Sequence, residues 1–357
     1  MRSFNELFTL MVERRASHIH LVPGSPIMLR QEGRLSPLDA HIVSPADTAK
    51  LANALLTDKQ KRQFDERLEV DFSYSIPGLS RFRINVFRQR GSIAMVIATN
   101  PPSPPTIEEL GLPESIKNAA TKAKSGLVII GGPKASGKSS TLAAMLNYIL
   151  ETRSVQILTF ENPIDYLHKN KKGVICQREK GTDFRSYANA FSSLRHQACD
   201  ILVITEFEEE YVAKHVLNLA AGGNLVIVTA QAPNVTVMVD KILDFFPPHQ
   251  RNQALSLLSV GLNTFISQTL LEKAQGTGLI PAFEILTGAP EIRTMIKDDK
   301  LLQVHAFMGA HGRDYGMMTQ EQSLRALLKK NLITKEEAMD KVVREEEFRK
   351  MLRMSGV

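Results

Sequence analysis

The residues with the clearest chemistry form one run, Gly132-Pro-Lys-Ala-Ser-Gly-Lys-Ser139, which fits the pattern G-x-x-x-x-G-K-[ST]. Glycines let the backbone wrap a phosphate chain with its N–H groups turned inward, and the helix that follows directs its positive end at the anion. In this pattern Lys138 reaches the β and γ phosphates and Ser139 binds Mg²⁺. We therefore expect a nucleotide site with these binding residues: Gly132, Pro133, Lys134, Ala135, Ser136, Gly137, Lys138, Ser139 and Ser140.

The flanking residues support a phosphate-binding loop over a glycine-rich turn with an incidental lysine. The apolar run Leu127–Ile130 precedes the motif, and a helical stretch from Ser140 to Glu151 follows it. A true P-loop joins a strand to a helix in this way. Lys134 is unusual within the loop, and it is either a further phosphate contact or a solvated lysine.

Two acidic residues follow later apolar runs. Glu161 comes directly after Ile157–Phe160, and Glu206 follows Ile201–Thr205. Hydrolysis needs a carboxylate near Mg²⁺, another that positions or deprotonates water, and positive charge on the transition state. Because the carboxyl ends of parallel strands share one edge with the P-loop, we expect both acids to face the γ-phosphate.

The elements that position these residues belong to an α/β region. Four short apolar runs alternate with helical patterns: Leu127–Ile130, Ser154–Phe160, Ile201–Thr205 and Leu225–Thr229. This alternation predicts a parallel sheet covered on both faces. From Leu257 onward the chain is expected to be mostly helical, with a capping box at Thr334 and Glu337.

Residues 1–98 have a different, α+β pattern. Ser3 with Glu6 predicts a capped helix, and Ser44-Pro45 begins another. Apolar and polar residues alternate in the strand-like run Arg81–Val86, so Phe82, Ile84 and Val86 should enter the core and the arginines should face away. Residues 99–106 contain four prolines and form an extended linker. The predicted domains are therefore 1–98 and 107–357, joined by 99–106.

The composition excludes several classes. The 357 residues suggest about two domains, and 43% hydrophobic with 23% charged residues is ordinary for a globular protein. Two cysteines without a CxxC exclude a disulfide framework and a cysteine-rich zinc site. The net charge of +6 does not call for nucleic acid, and no signal or membrane-spanning segment is expected. A cytosolic, reducing location fits best.

Distinctive runs lie along nearly the whole chain beside the P-loop: Ala16–Leu21, Arg81–Phe87, Ile107–Pro113, Thr141–Met145, Ile157–Asp165, Glu284–Leu286, Glu291–Arg293 and Tyr315–Met317. Together they resemble one family, the bacterial type IV pilus retraction ATPases, which are the twitching-motility motors of the secretion ATPase superfamily. The last three runs resemble the C-terminal helices of that family.

The resemblance implies a fold, an assembly and a location. The fold is α/β, with an N-terminal PAS-like α+β domain, a RecA-like P-loop ATPase core and C-terminal helices. Nucleotide is held between the two domains, and six subunits form a homo-hexameric ring. ATP hydrolysis with Mg²⁺ drives domain rotation at the cytoplasmic, inner-membrane base of the pilus machine. The implied partners are the inner-membrane platform proteins of that machine. The hypothesis of a divergent paralogue, given below, adds an active retraction ATPase as a partner, and no nucleic acid is expected.

The resemblance also assigns roles to residues. Glu161 corresponds to the catalytic glutamate of the aspartate box, and Glu206 to the Walker B glutamate. Ser139 and Glu206 would hold the metal. Arg81, Arg83 and Arg88 lie in the region that supplies phosphate-contacting arginines.

The sequence departs from the family pattern where hydrolysis is carried out. The departures are Lys134-Ala135 in the P-loop, Asn162 in the aspartate box, Thr205 and residues 207–209 around Glu206, Asn224 and Gln231 for the two histidines of the His box, and Ala98 for an arginine. Asn and Gln cannot carry a proton charge near neutral pH as His can, and loss of an arginine that stabilises transferred charge costs ~10³–10⁵ in rate. The hypothesis is a divergent paralogue that binds ATP and hydrolyses it weakly or not at all.

Three functions remain open on the sequence. One is a motor ATPase for pilus retraction, and the second is a nucleotide-binding, non-hydrolysing regulator of the same machine. The third is another RecA-like ring, such as an assembly or secretion ATPase or a nucleic-acid translocase. Assembly and secretion ATPases often carry a four-cysteine zinc insertion and a longer N-terminal region. This sequence has neither, which disfavours them.

Overall fold

The computed structural model describes residues 3–14, 16–31, 34–99, 103–205, 209–276 and 278–355. These residues fall into two units that divide between Ser103 and Pro104, and the short segment Asp165–Leu167 groups with the first unit. Residues 100–102 of the predicted linker lie outside the described residues. In the described part of the chain, no helix combines the length and the apolar character that crossing a bilayer requires.

The N-terminal unit contains one antiparallel six-stranded sheet in the order β3-β2-β1-β6-β5-β4. Its strands are β1 (His18–Leu21), β2 (Pro26–Gln31), β3 (Arg34–Ile42), β4 (Glu69–Ile76), β5 (Ser80–Gln89) and β6 (Ser92–Thr99). Its helices are α1 (Phe4–Glu13), α2 (Pro45–Leu55) and α3 (Asp58–Arg67). The predicted capping box at Ser3 and Glu6 is confirmed.

The alternation on β5 is also confirmed, because Phe82, Ile84 and Val86 are completely buried in the core of this unit. Strands β3 and β6 and helix α3 were not predicted. On β3 only Leu38 is buried, so its side chains show no alternation between the core and solvent. An edge strand of that kind carries no signal of period two.

The C-terminal unit contains a seven-stranded sheet in the order β13-β12-β7-β11-β10-β8-β9. Its strands are β7 (Gly126–Gly131), β8 (Gln156–Glu161), β9 (Val174–Glu179), β10 (Ile201–Ile204), β11 (Leu225–Ala230), β12 (Leu262–Glu272) and β13 (Leu279–Thr287). Neighbouring strands pair in parallel, except that β13 is antiparallel to β12. Buried clusters cover both faces, as the continuous apolar runs predicted.

Helices flank this sheet and form the end of the chain. They are α4 (Glu114–Thr121), α5 (Lys138–Thr152), α6 (Tyr187–Leu194), α7 (Glu210–Ala221), α8 (Val235–Asp244), α9 (Arg251–Gly261), α10 (Pro290–Lys297), α11 (Leu301–His311), α12 (Gln320–Lys329), α13 (Lys335–Lys341) and α14 (Glu345–Ser355). Short 3₁₀ helices occupy Pro248–Gln250 and Gly312–Tyr315. The predicted capping box of α13 is present only in part. The Thr334 side chain accepts the backbone N–H of Glu337, but the Glu337 carboxylate accepts the backbone N–H of Glu272 instead.

The expectation of a mostly helical chain after Leu257 was wrong for β12 and β13. These strands pair over nine residues, and Glu284–Leu286, assigned above to a helix, lies on β13. Both strands are buried over most of their length, so they lack the period of two that would distinguish them from a buried helix segment. The predicted C-terminal helices begin only at Pro290.

Candidate nucleotide-binding and catalytic site

The P-loop joins the fully buried strand β7 to helix α5, as the sequence predicted. Three of its residues have positive φ: Gly132 at 148°, Ala135 at 60° and Gly137 at 86°. A Cβ on Gly132 would lie 2.3 Å from the carbonyl oxygen of Gln268, and one on Gly137 would lie 2.6 Å from Nε2 of the same residue. The two glycines therefore allow the loop to lie directly on β12.

Thr141 and Gln268 anchor the loop to this strand, and sequence reasoning missed both. The Thr141 hydroxyl donates a hydrogen bond of 2.6 Å to Oε1 of Gln268, and both side chains are buried. Thr141 is one turn beyond the loop on α5, and Gln268 lies on β12 beside β7. Thr264, Ser267 and Thr269 on the same strand are also polar and buried, so no signal in the sequence singles out Gln268.

Lys138 curls back over the loop. Its Nζ donates hydrogen bonds to the carbonyl oxygens of Gly132, at 3.0 Å, and Pro133, at 2.5 Å. It also lies 3.4 Å from the hydroxyl of Ser136. Burial lowers the pKa of Lys138 below its ordinary value. The ammonium group thus lies inside the curve of the loop, where it can exchange these carbonyls for phosphate oxygens.

The other predicted loop residues differ in exposure. Ser139, in the first turn of α5, is exposed, and Ser140 beside it is half-buried. Lys134 and Ala135 are exposed at the tip, whereas Ser136 is buried. The exposed hydroxyl of Ser139 at a helix N-terminus suits a hydrated Mg²⁺ ion, which prefers oxygen ligands and retains waters.

Glu161 is the last residue of β8 and is only 6% exposed. Its Oε1 accepts hydrogen bonds from the Thr159 hydroxyl, at 2.6 Å, and from Nε2 of Gln177, at 2.9 Å. Gln177 is oriented in turn, because its Oε1 accepts the backbone N–H of His168 at 2.9 Å. Two side chains on neighbouring strands therefore fix one oxygen of the predicted catalytic carboxylate. Neither Thr159 nor Gln177 was predicted.

Glu206 lies outside the described residues, but the residue before it does not. The Thr205 hydroxyl accepts the backbone N–H of Asn162 at 3.1 Å. The Thr205 carbonyl accepts the hydroxyl of Thr229 at 2.6 Å. Two of the unusual positions, 162 and 205, thus contact each other across the ends of β8 and β10.

The sheet topology brings the P-loop and Glu161 to the same edge. Strands β7 and β8 are separated by β11 and β10, so their ends are roughly 14 Å apart at the usual strand spacing. The two expected His-box positions do not lie together. Asn224 precedes β11 at the opposite edge, whereas Gln231 follows β11 at the P-loop edge and is exposed.

Arg81, Arg83 and Arg88 belong to β5 of the N-terminal unit. Arg81 donates to the Ser75 hydroxyl, Arg83 forms an ion pair with Asp71, and Arg88 donates to the Gly91 carbonyl. Their contact with phosphate stays a prediction.

Comparison with known proteins gives this geometry a context. A family model described as Type II/IV secretion system protein matches residues 1–354. The type IV pilus retraction ATPase PilT of Pseudomonas aeruginosa is 36% identical over 96% of this chain and 99% of its own length. A twitching motility protein of Neisseria gonorrhoeae is 35% identical over 87% of this chain and 83% of its length.

The chain belongs to the type IV pilus retraction ATPase family. A crystal structure of the pilus retraction motor PilT with bound ADP covers 98% of this chain and 100% of that one, with 35% identity and a TM-score of 0.91. The predicted fold class is thereby confirmed: an N-terminal sheet domain is followed by a RecA-like core. The bound ADP in that relative supports nucleotide binding by a member of this family. The loop around Lys138 stays the predicted place for it.

Proposed function

We propose that this protein is an ATP-binding motor component of the type IV pilus machine that promotes pilus retraction and twitching motility through ATP-driven domain rotation. The observation that carries the proposal is the complete P-loop in a chain related over nearly its whole length to a retraction ATPase. The proposed assembly is a homo-hexamer. Its place is the cytoplasmic side of the inner membrane, with platform proteins of the pilus machine and an active paralogue as partners.

In this proposal the loop N–H groups and Lys138 bind the β and γ phosphates, and Ser139 with Glu206 holds Mg²⁺. The ion would neutralise charge on the phosphates. Glu161 would hold the attacking water, since a carboxylate fixed through one oxygen by Thr159 and Gln177 has a defined direction. Arg81, Arg83 and Arg88 would supply positive charge to the phosphates.

We further propose that the protein binds ATP but hydrolyses it slowly. The bond between Asn162 and Thr205 joins two strand ends that would carry catalytic carboxylates, and glycine at 205 could not form it. Gln231, at the P-loop edge, cannot gain or lose a proton near neutral pH as a histidine at that position could. The second candidate function, a nucleotide-binding regulator without hydrolysis, is favoured by the same two observations.

The decisive experiment measures MgATP binding and steady-state hydrolysis on the same purified protein. Lys138→Ala tests the loop, Glu206→Gln tests hydrolysis, and Lys124→Ala, at an exposed lysine outside the loop, serves as the matched control. Turnover on the order of 1 s⁻¹, abolished by both test variants, indicates a working motor and overturns the low-turnover proposal. Tight binding that Lys138→Ala abolishes, with no turnover above that variant, indicates the regulator.

Pilus retraction itself is tested in the organism that carries the gene. Deletion should reduce twitching, and the wild-type gene should restore it, whereas the Lys138→Ala gene should not. Unchanged twitching after deletion would contradict a role in retraction, whatever the ATPase assay gives.

A further inference from the structure

Three C-terminal helices meet at a polar cluster far from the P-loop motif in sequence. His305 lies on α11, Glu321 on α12 and Glu347 on α14. Nε2 of His305 is 3.2 Å from Oε2 of Glu321, and Nδ1 is 3.3 Å from Oε2 of Glu347. One ligand atom of each of the three side chains lies within 4.8 Å of the others.

Glu321 is the unusual member of this cluster, since its side chain is only 1% exposed. Its Oε1 is buried and has no hydrogen-bond partner within the described residues. A carboxyl group with one oxygen buried and unpaired is costly unless a cation or donor reaches it.

Within the described residues, no donor from the neighbouring helices reaches the Oε1 atom of Glu321. Glu347 brings a second carboxylate to the same imidazole. The nearby buried Glu284 accepts the backbone N–H of Val235 and pairs with Arg344 at 3.4 Å. That arginine is therefore engaged by another carboxylate. The cluster combines one imidazole and two carboxylates, which is a donor set that Zn²⁺ accepts.

We propose that His305, Glu321 and Glu347 form a zinc site, with water as the fourth ligand. Tetrahedral Zn²⁺ with bonds of about 2.1 Å places neighbouring ligand atoms about 3.4 Å apart. The largest separation here is within 4.8 Å, so a shift of about 1–1.5 Å suffices. Glu347 can supply it, because its side chain is 55% exposed and adjustable. The ion would satisfy the buried oxygen of Glu321.

Zinc at this position would fasten α14 to α11 and α12. Arg344, just before α14, also donates to the Thr236 hydroxyl, and Glu284 accepts the N–H of Val235, so the same region caps the start of α8. Helix α8 follows Gln231 at the P-loop edge of the sheet. The site is thus structural, and it does not depend on whether the chain hydrolyses ATP.

The test uses tag-free, full-length protein that has been stripped with EDTA. Calorimetric titration with ZnCl₂ and metal analysis after dialysis should give one Zn²⁺ per chain. His305→Gln and Glu321→Gln should each weaken binding by at least about tenfold. His311→Gln is the matched control, because His311 is exposed on the same helix and should leave binding unchanged.

Two further measurements keep the result interpretable. Circular dichroism and MgATP binding show whether each variant is folded, and Zn²⁺ should raise the melting temperature of the wild type but not of folded His305→Gln. Absence of zinc binding by the wild type overturns the proposal and leaves an ion-pair cluster. Equal loss of binding in His311→Gln overturns it as well, because the metal would then sit on surface histidines.

Discussion

The hydrogen bond between Thr141 and Gln268 should control the stability of the P-loop, and a double-mutant cycle can measure it. Thr141→Val and Gln268→Leu each remove one partner of a 2.6 Å bond between buried side chains. Each single variant leaves the other polar group buried and unpaired. The double variant replaces both groups by apolar side chains of similar shape, which is nearly neutral in other buried sites.

The expected magnitude follows from that asymmetry. A buried unpaired hydroxyl or amide costs about 1–3 kcal/mol, so each single variant should lose about 2 kcal/mol. For a unit of this size, that corresponds to a drop of about 4–8 °C in melting temperature. The double variant should lose at most about 1 kcal/mol, against about 4 kcal/mol for the sum of the singles, so the coupling free energy is about 3 kcal/mol.

Differential scanning calorimetry of the four proteins, together with MgATP titrations, gives both readouts. Because Gln268 lies against Gly132 and Gly137, the single variants should also bind nucleotide more weakly, and the double variant should recover. Gln320→Leu is the control, since this buried glutamine contacts Thr269 and the α13–α14 region instead of the loop. A loss in the double variant equal to the sum of the two single losses would refute the reasoning.

Three other predictions concern the same edge of the sheet. Ala135→Gly should stabilise the protein by about 0.5–1 kcal/mol, because alanine at φ 60° is strained and glycine is not. As a control, Ala143→Gly within α5 should destabilise the protein by about 1 kcal/mol. Calorimetry that gives both changes the same sign would contradict this prediction. Gln177→Leu should lower the single-turnover rate of hydrolysis about tenfold at unchanged nucleotide affinity, since it frees Glu161, and an unchanged rate would remove Gln177 from the positioning of that carboxylate. Burial lowers the pKa of His168 from 6.5 to about 4, so its neutral form supports the fold above pH 6.5 and that stability is lost as the pH falls towards 4. His168→Gln should therefore show about 2 kcal/mol less loss of stability between pH 7.5 and pH 5 than the wild type, and parallel pH profiles would contradict the assignment.

The sequence predicted those parts of the structure that depend on interactions between residues close to each other in the chain. The P-loop has a fixed spacing because one tight loop must turn its N–H groups to one phosphate chain, so Gly132 to Ser139 predict it when an apolar run precedes them and a helical stretch follows. Helix caps at Ser3 and Thr334 follow from bonds spanning three residues. The four buried strands of the parallel sheet were visible as continuous apolar runs.

The sequence did not predict β12 and β13. A strand that is buried on both faces lacks the period of two that marks a half-buried strand. Only the pairing of β12 with β7 and of β13 with β12 distinguishes these strands from buried helices. The roles of Thr159 and Gln177 were missed for a related reason. Gln177 is 16 residues from Glu161, and it reaches the carboxylate only because β9 pairs in register with β8.

The family, the nucleotide loop and the acid after β8 were thus determined by the sequence itself, because short-range hydrogen bonding and strand ends require particular residue types at particular spacings. Only the tertiary structure shows which distant residues contact and support these elements. Gln268 supports Thr141 across 127 positions of the chain, and His305, Glu321 and Glu347 meet from three helices. Such contacts depend on strand register and helix packing, which are set by the burial of whole faces and leave no fixed spacing along the chain.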